Sequence, residues 1–188
     1  DEKNKIILID LQTGRKIDEF YTQPSKAVSK FESNLAIDSY GNLLFLSTNG
    51  SLYSLNLRNQ KTLNWIQNFK PENEIIFNGK PIIISNGRVI VSSDKNISVL
   101  GENGVKIWDL SIKSNISPIV SGKTIITITE DNYLLLIDKE TGQIIYSKNL
   151  YLLIKNDFKK NFNRKINTIE NIYFANDKLL LISNNSYF

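Results

Sequence analysis

The acidic residues are the first candidates for chemistry, because the chain of 188 residues contains no histidine and no cysteine. That composition excludes disulfides, zinc sites built on those ligands, Cys–His nucleophile pairs and histidine general bases. Asp10 and Asp138 each come three residues before a Thr-Gly pair, and Glu130 and Asp131 lie side by side. Each could ligate a metal, but cation binding needs several oxygens from separate loops. We therefore expect turn carboxylates that accept backbone N–H groups, with no catalytic, metal-binding or cofactor-binding residues.

Three aromatic side chains could form stacking platforms for a planar ligand. Trp65, Trp108 and Tyr146 recur at one position of a repeated pattern. An aromatic residue placed once per repeat is typical of packing between neighbouring sheets, where each ring buries about 150–250 Å². We expect a structural role for all three.

A basic stretch at 151–166 is the candidate for partner binding. Ile154, Phe158, Phe162 and Ile166 recur every four residues, which predicts a short amphipathic helix. Its basic residues are Lys155, Lys159, Lys160, Arg164 and Lys165. The helix could dock on its own domain and leave these charges solvated, or it could contact an acidic partner or anionic lipid headgroups. We expect no nucleic-acid binding, because the net charge is only +4 and no aromatic–basic interleaving recurs.

Turn motifs at intervals of about 40 residues place these side chains on a repeated unit. Asn-Gly and Asp-x pairs separate short apolar runs and supply the positive φ that tight hairpins require. One turn of each repeat anchors the alignment: Thr13-Gly14, Asn59-Gln60, Asn103-Gly104 and Thr141-Gly142. Four short strands per repeat predict a propeller blade.

The predicted fold class is therefore all-β, a β-propeller of four-stranded antiparallel blades, with about four blades' worth of chain. With strands labelled A to D, a single propeller segment is divided into strands C–D at 3–23, blades at 31–70, 77–113 and 115–150, the insertion at 151–166, and strands A–B at 167–185. We expect this segment to be part of a larger ring; closure as four blades is the alternative. Open blade edges expose unpaired strands, which predicts self-association.

One repeat resembles that of pyrroloquinoline-quinone-type propellers. Leu136–Tyr146 follows the order apolar, Asp, two residues, Thr-Gly, polar, apolar, aromatic. Leu8–Ile17 follows it too, with Asp18 at the aromatic position, and Asn103–Trp108 keeps the glycine and the tryptophan. The Ser117–Val120 entry to an inner strand and the Trp-ended repeats are most similar to the propeller lipoproteins of the bacterial outer-membrane β-barrel assembly machinery.

That resemblance implies a non-enzymatic, periplasmic protein, typically eight-bladed and lipid-anchored. The expected function is a protein–protein interaction scaffold in outer-membrane protein assembly, with an assembly component as partner, peripheral membrane association and no cofactor. The family's lipid-bearing cysteine is absent, so an anchor would belong to an upstream segment. The alternative is a fragment of a PQQ-dependent quinoprotein dehydrogenase. A WD-repeat protein is a weaker one, because Trp108-Asp109 occurs once and the Gly-His pair needs a histidine.

Overall fold

The structure is a computed structural model that describes residues 5–22, 34–58, 62–70, 77–152 and 169–183. Its secondary structure in those residues is almost entirely β. The strands are β1 (Lys5–Ile9), β2 (Lys16–Tyr21), β3 (Asn34–Ile37), β4 (Asn42–Leu46), β5 (Ser51–Asn56), β6 (Leu63–Asn68), β7 (Ile83–Ser85), β8 (Arg88–Ser92), β9 (Asn96–Gly101), β10 (Lys106–Ser111), β11 (Ile119–Ser121), β12 (Thr124–Ile128), β13 (Tyr133–Asp138), β14 (Ile144–Asn149), β15 (Ile169–Ala175) and β16 (Lys178–Ser183).

The strands form sheets in simple chain order. Three sheets have four strands each, β3–β6, β7–β10 and β11–β14, and two have two strands each, β1–β2 and β15–β16. Neighbouring strands pair antiparallel within these sheets. The predicted fold class, a propeller built from four-stranded antiparallel blades, is confirmed. The exact division of the chain into segments stays a prediction.

Two-residue turns connect the first two strands of several sheets. Asn86 and Gly87 have φ of 48° and 73°, and Asn176 and Asp177 have φ of 51° and 58°. Positive φ at both central residues gives a turn whose twist matches that of the strands it joins, and asparagine, aspartate and glycine tolerate it best. The turn residues in the sequence therefore fix where each hairpin reverses.

Burial differs between the inner and the outer strands of a blade. The second strand of each complete blade is buried at four consecutive positions, namely Leu43–Leu46, Val89–Ser92 and Ile125–Ile128. Consecutive burial means that both faces of the strand are covered. The outer strands β6 and β10 instead alternate between exposed and half-buried residues. A blade therefore buries its middle strands more completely than its outer strand.

The chain divides into two compact units, residues 1–84 and 85–188. In the first unit, Ile6 of the β1–β2 hairpin packs with Leu43, Phe45, Tyr53 and Leu55 of the following blade. In the second unit, a cluster joins the β11–β14 blade to the β15–β16 hairpin, and its buried members are Ile116, Ile126, Ile128, Leu150, Ile169 and Ile172. In both units, apolar residues bury themselves between neighbouring sheets.

The basic insertion at 151–166, which the sequence predicts as a helix, lies mostly outside the described residues. Its first two residues, 151 and 152, are described and are helical. Within the part of the chain that is described, no helix is long and apolar enough to cross a membrane.

Candidate functional site

The turn from Asp138 to Gly142 is the best-defined polar motif of the second unit. Asp138 Oδ1 accepts hydrogen bonds from Glu140 N (2.9 Å), Thr141 N (2.8 Å) and Thr141 Oγ1 (3.0 Å). Gly142 N then donates to the Asp138 carbonyl oxygen at 2.9 Å. The hydrogen bonds from Thr141 are the main cause that holds the pKa of Asp138 below its ordinary value. This carboxylate organises its own turn.

The turn from Asp10 to Gly14 repeats the same geometry in the first unit. Asp10 Oδ1 accepts from Gln12 N (3.0 Å), Thr13 N (2.7 Å) and Thr13 Oγ1 (2.9 Å). The pKa of Asp10 is also lowered, with the backbone hydrogen bond from Thr13 as the largest cause. The two aspartates therefore accept the same pattern of hydrogen bonds, and in each the carboxylate is directed at backbone and threonine donors of its turn.

Trp108 of β10 packs on the Asp138–Gly142 turn of the next blade. A Cβ atom added at Gly142 would lie 2.8 Å from Trp108 Cδ2 and 3.0 Å from Trp108 Cγ. The indole Nε1 donates to the Lys139 carbonyl oxygen at 2.8 Å. Glycine is required here for two reasons, because its φ is 74° and because the indole ring leaves no space for a side chain. We call this arrangement of Trp108, Lys139 and Gly142 the blade joint.

Lys139 lies inside the blade joint and is only 1% exposed. Its Nζ donates to Gly122 O (3.1 Å), Ser85 Oγ (3.2 Å) and Ser85 O (3.4 Å). Its backbone N donates to Lys123 O at 2.8 Å. A buried ammonium is tolerated only when its hydrogen bonds are made, and Ser85 and Gly122 come from two different sheets. This side chain therefore joins the two blades.

An ion pair closes the edge of the same joint. Arg88 Nε and Nη2 both donate to Glu140 Oε2, at 2.8 and 2.5 Å. The side chains are 32% and 41% exposed, so solvent screens the pair and its contribution to stability is about 0–1 kcal/mol. The ion pair adds specificity of alignment more than stability.

The other structural positions predicted from the repeat have varied surroundings. Trp65 is half-buried on β6, whereas Tyr146 on β14 is 43% exposed. Gly104 has φ of 82°, and its N donates to Gly101 O at 2.9 Å. Gly14 has φ of 68°, but nothing lies within 4 Å of the position where its Cβ would be. Of these residues, Trp108 and Gly142 are the two that the described contacts bring together.

The remaining acidic and basic residues that were considered for metal or partner binding do not belong to the blade joint. Glu130 and Asp131 occupy a tight turn in which Asn132 N donates to Thr129 O, beside a cavity of about 10 Å³. That volume holds about one water molecule. Among the described residues, no group of three or more acidic side chains could hold a metal ion. The predicted basic residues Lys155, Lys159, Lys160, Arg164 and Lys165 lie outside the described residues.

Sequence reasoning missed Lys139, Arg88 and Glu140. Lys139 lies between an aspartate and a Thr-Gly pair, where a lysine is normally solvated, and the matching position of the first turn is Leu11. No local pattern distinguishes a buried lysine from an exposed one there. The partner Ser85 is 54 residues away in the sequence, so only the stacking of blades reveals the contact.

Three four-stranded antiparallel sheets follow one another along the chain, and two of them are joined by the Trp108–Gly142 contact, which defines the fold as a β-propeller. The family model described as outer membrane protein assembly factor BamB matches residues 1–148. The chain therefore belongs to the BamB family, which confirms the resemblance drawn from its repeats. No curated protein sequence matches the chain.

Solved structures share the fold at low sequence identity. BamB from Moraxella catarrhalis is 17% identical with a TM-score of 0.60, and the match covers 90% of this chain and 47% of that one. The Pan2 WD40 domain from Neurospora crassa is 14% identical with a TM-score of 0.55, over 81% of this chain and 43% of that one. A europium-containing methanol dehydrogenase is 14% identical, covers 56% of this chain and 22% of that one, and has a TM-score of 0.46. The chain thus spans about half the length of the BamB structure that it matches.

Proposed function

We propose that this chain is a non-enzymatic protein–protein interaction scaffold in outer-membrane protein assembly. The observation that carries the proposal is the match of residues 1–148 to the assembly-factor family. The described geometry agrees with a structural role, because Asp10 and Asp138 direct their carboxylates at their own turns, and the Trp108 ring is occupied by the blade joint. Periplasmic location, an outer-membrane anchor upstream of residue 1 and peripheral membrane association belong to the same proposal.

The basic insertion is the partner-binding element in this proposal. Leu150 and Ile169, which bound it, are 7% exposed each and belong to one hydrophobic cluster. The Leu150 N–H donates to Asn132 O at 2.9 Å, so the chain leaves the blade from a fixed point. Tyr151 and Leu152, the next two residues, are 44% and 55% exposed. A segment that connects two buried positions at the edge of a blade is a common location for binding residues.

Reversal of the insertion charges tests this element. The variant Lys159→Glu, Lys160→Glu, Arg164→Glu should lower the recovery of outer-membrane assembly proteins by about tenfold or more when the tagged chain is captured from envelope extracts. Its control reverses three exposed lysines on the blades, Lys113, Lys123 and Lys148, and should leave the recovery unchanged. Equal recovery by both variants removes the insertion from the interface.

Depletion of the protein in its parent organism tests the role itself. The abundance of β-barrel proteins in the outer membrane should fall, and expression of the protein should restore it. Unchanged levels of those proteins would contradict the assembly role. They would do so even if the insertion bound a partner.

A quinoprotein dehydrogenase fragment is the competing function. The described residues give it no specific support, and the dehydrogenase match lies at a TM-score of 0.46. The two functions differ in a ligand, because only a quinone site would raise the melting temperature on addition of pyrroloquinoline quinone with calcium. We expect no shift in the melting temperature, and a saturable shift would favour the enzyme.

We further propose self-association through blade edges.

A further inference from the structure

Asn-Gly pairs are chemically reactive, and the chain contains several that differ in how their reactive groups are held. The pairs are Asn49-Gly50, Asn78-Gly79, Asn86-Gly87 and Asn103-Gly104. Such a pair loses ammonia when the glycine nitrogen attacks the carbonyl carbon of the asparagine side chain, and glycine favours this attack because it has no Cβ to obstruct it. In the folded chain, the reaction therefore depends on the contacts of that nitrogen and of that amide.

Asn49-Gly50 is held at both reactive groups. Asn49 Oδ1 accepts a hydrogen bond from Ser51 N at 3.0 Å. Gly50 is buried, and its N donates to Ser47 O at 3.0 Å. A Cβ atom added at Gly50 would lie 2.7 Å from Lys70 Cβ, so the main chain is closely packed there. Folding protects this pair, because these contacts must break before the nitrogen can reach the amide carbon.

Asn103-Gly104 is held in a similar way. Asn103 Oδ1 accepts a hydrogen bond from Val105 N at 3.1 Å. Gly104 is buried, and its N donates to Gly101 O at 2.9 Å. Asn78, of the pair Asn78-Gly79, has an interaction partner as well. We therefore expect slow reaction at these pairs while the chain is folded.

Asn86-Gly87 forms the turn between β7 and β8 and lacks such contacts. Asn86 is exposed, and no atom beyond the chain neighbours of Gly87 lies within 4 Å of the position where its Cβ would be. Among the described residues, neither the Asn86 side chain nor Gly87 N has a hydrogen-bond partner. A turn on which nothing packs opens locally at low free energy. Local opening alone therefore brings the nitrogen to the amide carbon.

We propose that Asn86 is a site of spontaneous deamidation, and that its isoaspartate product loosens the blade joint. Gly87 N loses its proton and bonds to the side-chain carbonyl carbon of Asn86, and ammonia leaves, which closes a cyclic imide. Water then opens the imide at either carbonyl and gives aspartate or isoaspartate. In isoaspartate the main chain runs through the side chain and contains an additional carbon atom. The reaction consumes only water and does not depend on the assembly role.

The residues on both sides of this turn bind the next blade. Ser85 O and Oγ accept hydrogen bonds from Lys139 Nζ at 3.4 and 3.2 Å. Arg88 Nε donates to Glu140 Oε2 at 2.8 Å. The turn has φ of 48° and 73° at its two central residues, and this geometry matches the twist of the strands that it joins. An additional main-chain carbon must displace Ser85 or Arg88, so it weakens the contacts that both make with the next blade.

Peptide mapping by mass spectrometry tests the site. When the folded chain is incubated at mildly alkaline pH, Asn86 should deamidate about tenfold or more faster than Asn49 and Asn103. In urea all the pairs should react at similar rates, because only folding distinguishes them. The control Asn86→Gly keeps a turn that tolerates positive φ and should stay unmodified at this position. Reaction at another pair before Asn86 in the folded chain, or no reaction at Asn86, would overturn the proposal.

Urea denaturation tests the effect on the blade joint. The isoaspartate form, separated by ion-exchange chromatography, should unfold at a lower urea concentration than Asn86→Asp. That variant is the matched control, because it has the same charge without the additional carbon and aspartate tolerates positive φ. The difference should become smaller in the Lys139→Met background, where the hydrogen bonds of Nζ are already absent. Equal urea midpoints, or a difference that Lys139→Met does not change, would overturn the effect on the joint. Either result would leave the capture and depletion tests of the assembly role unaffected.

Discussion

Gly142→Ala separates the two reasons for which the blade joint needs glycine. Its φ of 74° makes any side chain cost about 1–2 kcal/mol. The added methyl group would also lie 2.8 Å from the Trp108 ring, and such overpacking costs about 1–3 kcal/mol. The expected loss in the free energy of unfolding is therefore about 2–5 kcal/mol. Gly87→Ala is the matched control, because Gly87 has φ of 73° in the same unit and nothing within 4 Å, so about 1–2 kcal/mol should be lost.

A double-mutant cycle with Trp108→Ala isolates the ring contact. Trp108→Ala alone should cost about 3 kcal/mol, the low end for large aromatic truncations, because the side chain is only half-buried. In that background Gly142→Ala should lose only the backbone strain, which gives a coupling energy of about 1–3 kcal/mol. Urea denaturation followed by far-ultraviolet circular dichroism measures all four proteins without relying on tryptophan fluorescence. Equal losses in the free energy of unfolding for Gly142→Ala and Gly87→Ala, or a coupling energy near zero, would show that the Trp108 ring does not pack on Gly142.

Three further predictions concern charged side chains. Lys139→Ala should cost about 2–5 kcal/mol in urea denaturation, because it leaves a cavity, and Lys139→Met should cost clearly less; equal losses would argue against tight packing there. The side-chain hydrogen bond with Lys5 is the largest cause that lowers the pKa of Glu19 from 4.5 to about 2. The ionised Glu19 therefore stabilises the folded chain fully above pH 4.5, and this contribution is lost as the pH falls towards 2. Carbon-13 NMR titration should show the lowered pKa of Glu19, and Lys5→Ala should raise it again. An ordinary pKa of Glu19 in the unmodified chain would contradict this prediction. Arg88→Ala should cost at most about 1 kcal/mol, less at high salt, and a loss that salt does not change would contradict a screened ion pair with Glu140.

The sequence was sufficient to predict the fold because its information is local. Turn pairs such as Asn86-Gly87 fix the hairpins through positive φ, and the apolar runs between them have the length of strands. The four-strand pattern recognised in one repeat then applies to the other repeats. These repeats must stack on one another, because a propeller blade needs its neighbour to bury its faces. The repeated Asp–Thr-Gly turn could be identified in the same way.

The blade joint could be predicted only in part. The aromatic and glycine positions were visible as a repeat, but the repeat did not say which ring covers which glycine. The burial of Lys139 could not be predicted from the sequence, because it depends on Ser85 and Gly122. These two residues belong to two sheets that meet only in the folded chain. Contacts of that kind are set by tertiary packing, and a charged residue in a turn is ordinarily exposed.

An NMR measurement on the isotope-labelled chain tests most directly whether the Trp108 ring covers Gly142 in the turn of the next blade. We expect nuclear Overhauser effects between the Trp108 indole protons and the Gly142 α protons, and we expect the ring to displace the α-proton shifts of Gly142 upfield. Both features should disappear in Trp108→Leu and persist in Trp65→Leu. Ordinary α-proton shifts for Gly142, without a nuclear Overhauser effect to Trp108 in the folded chain, would show that the ring does not cover this turn.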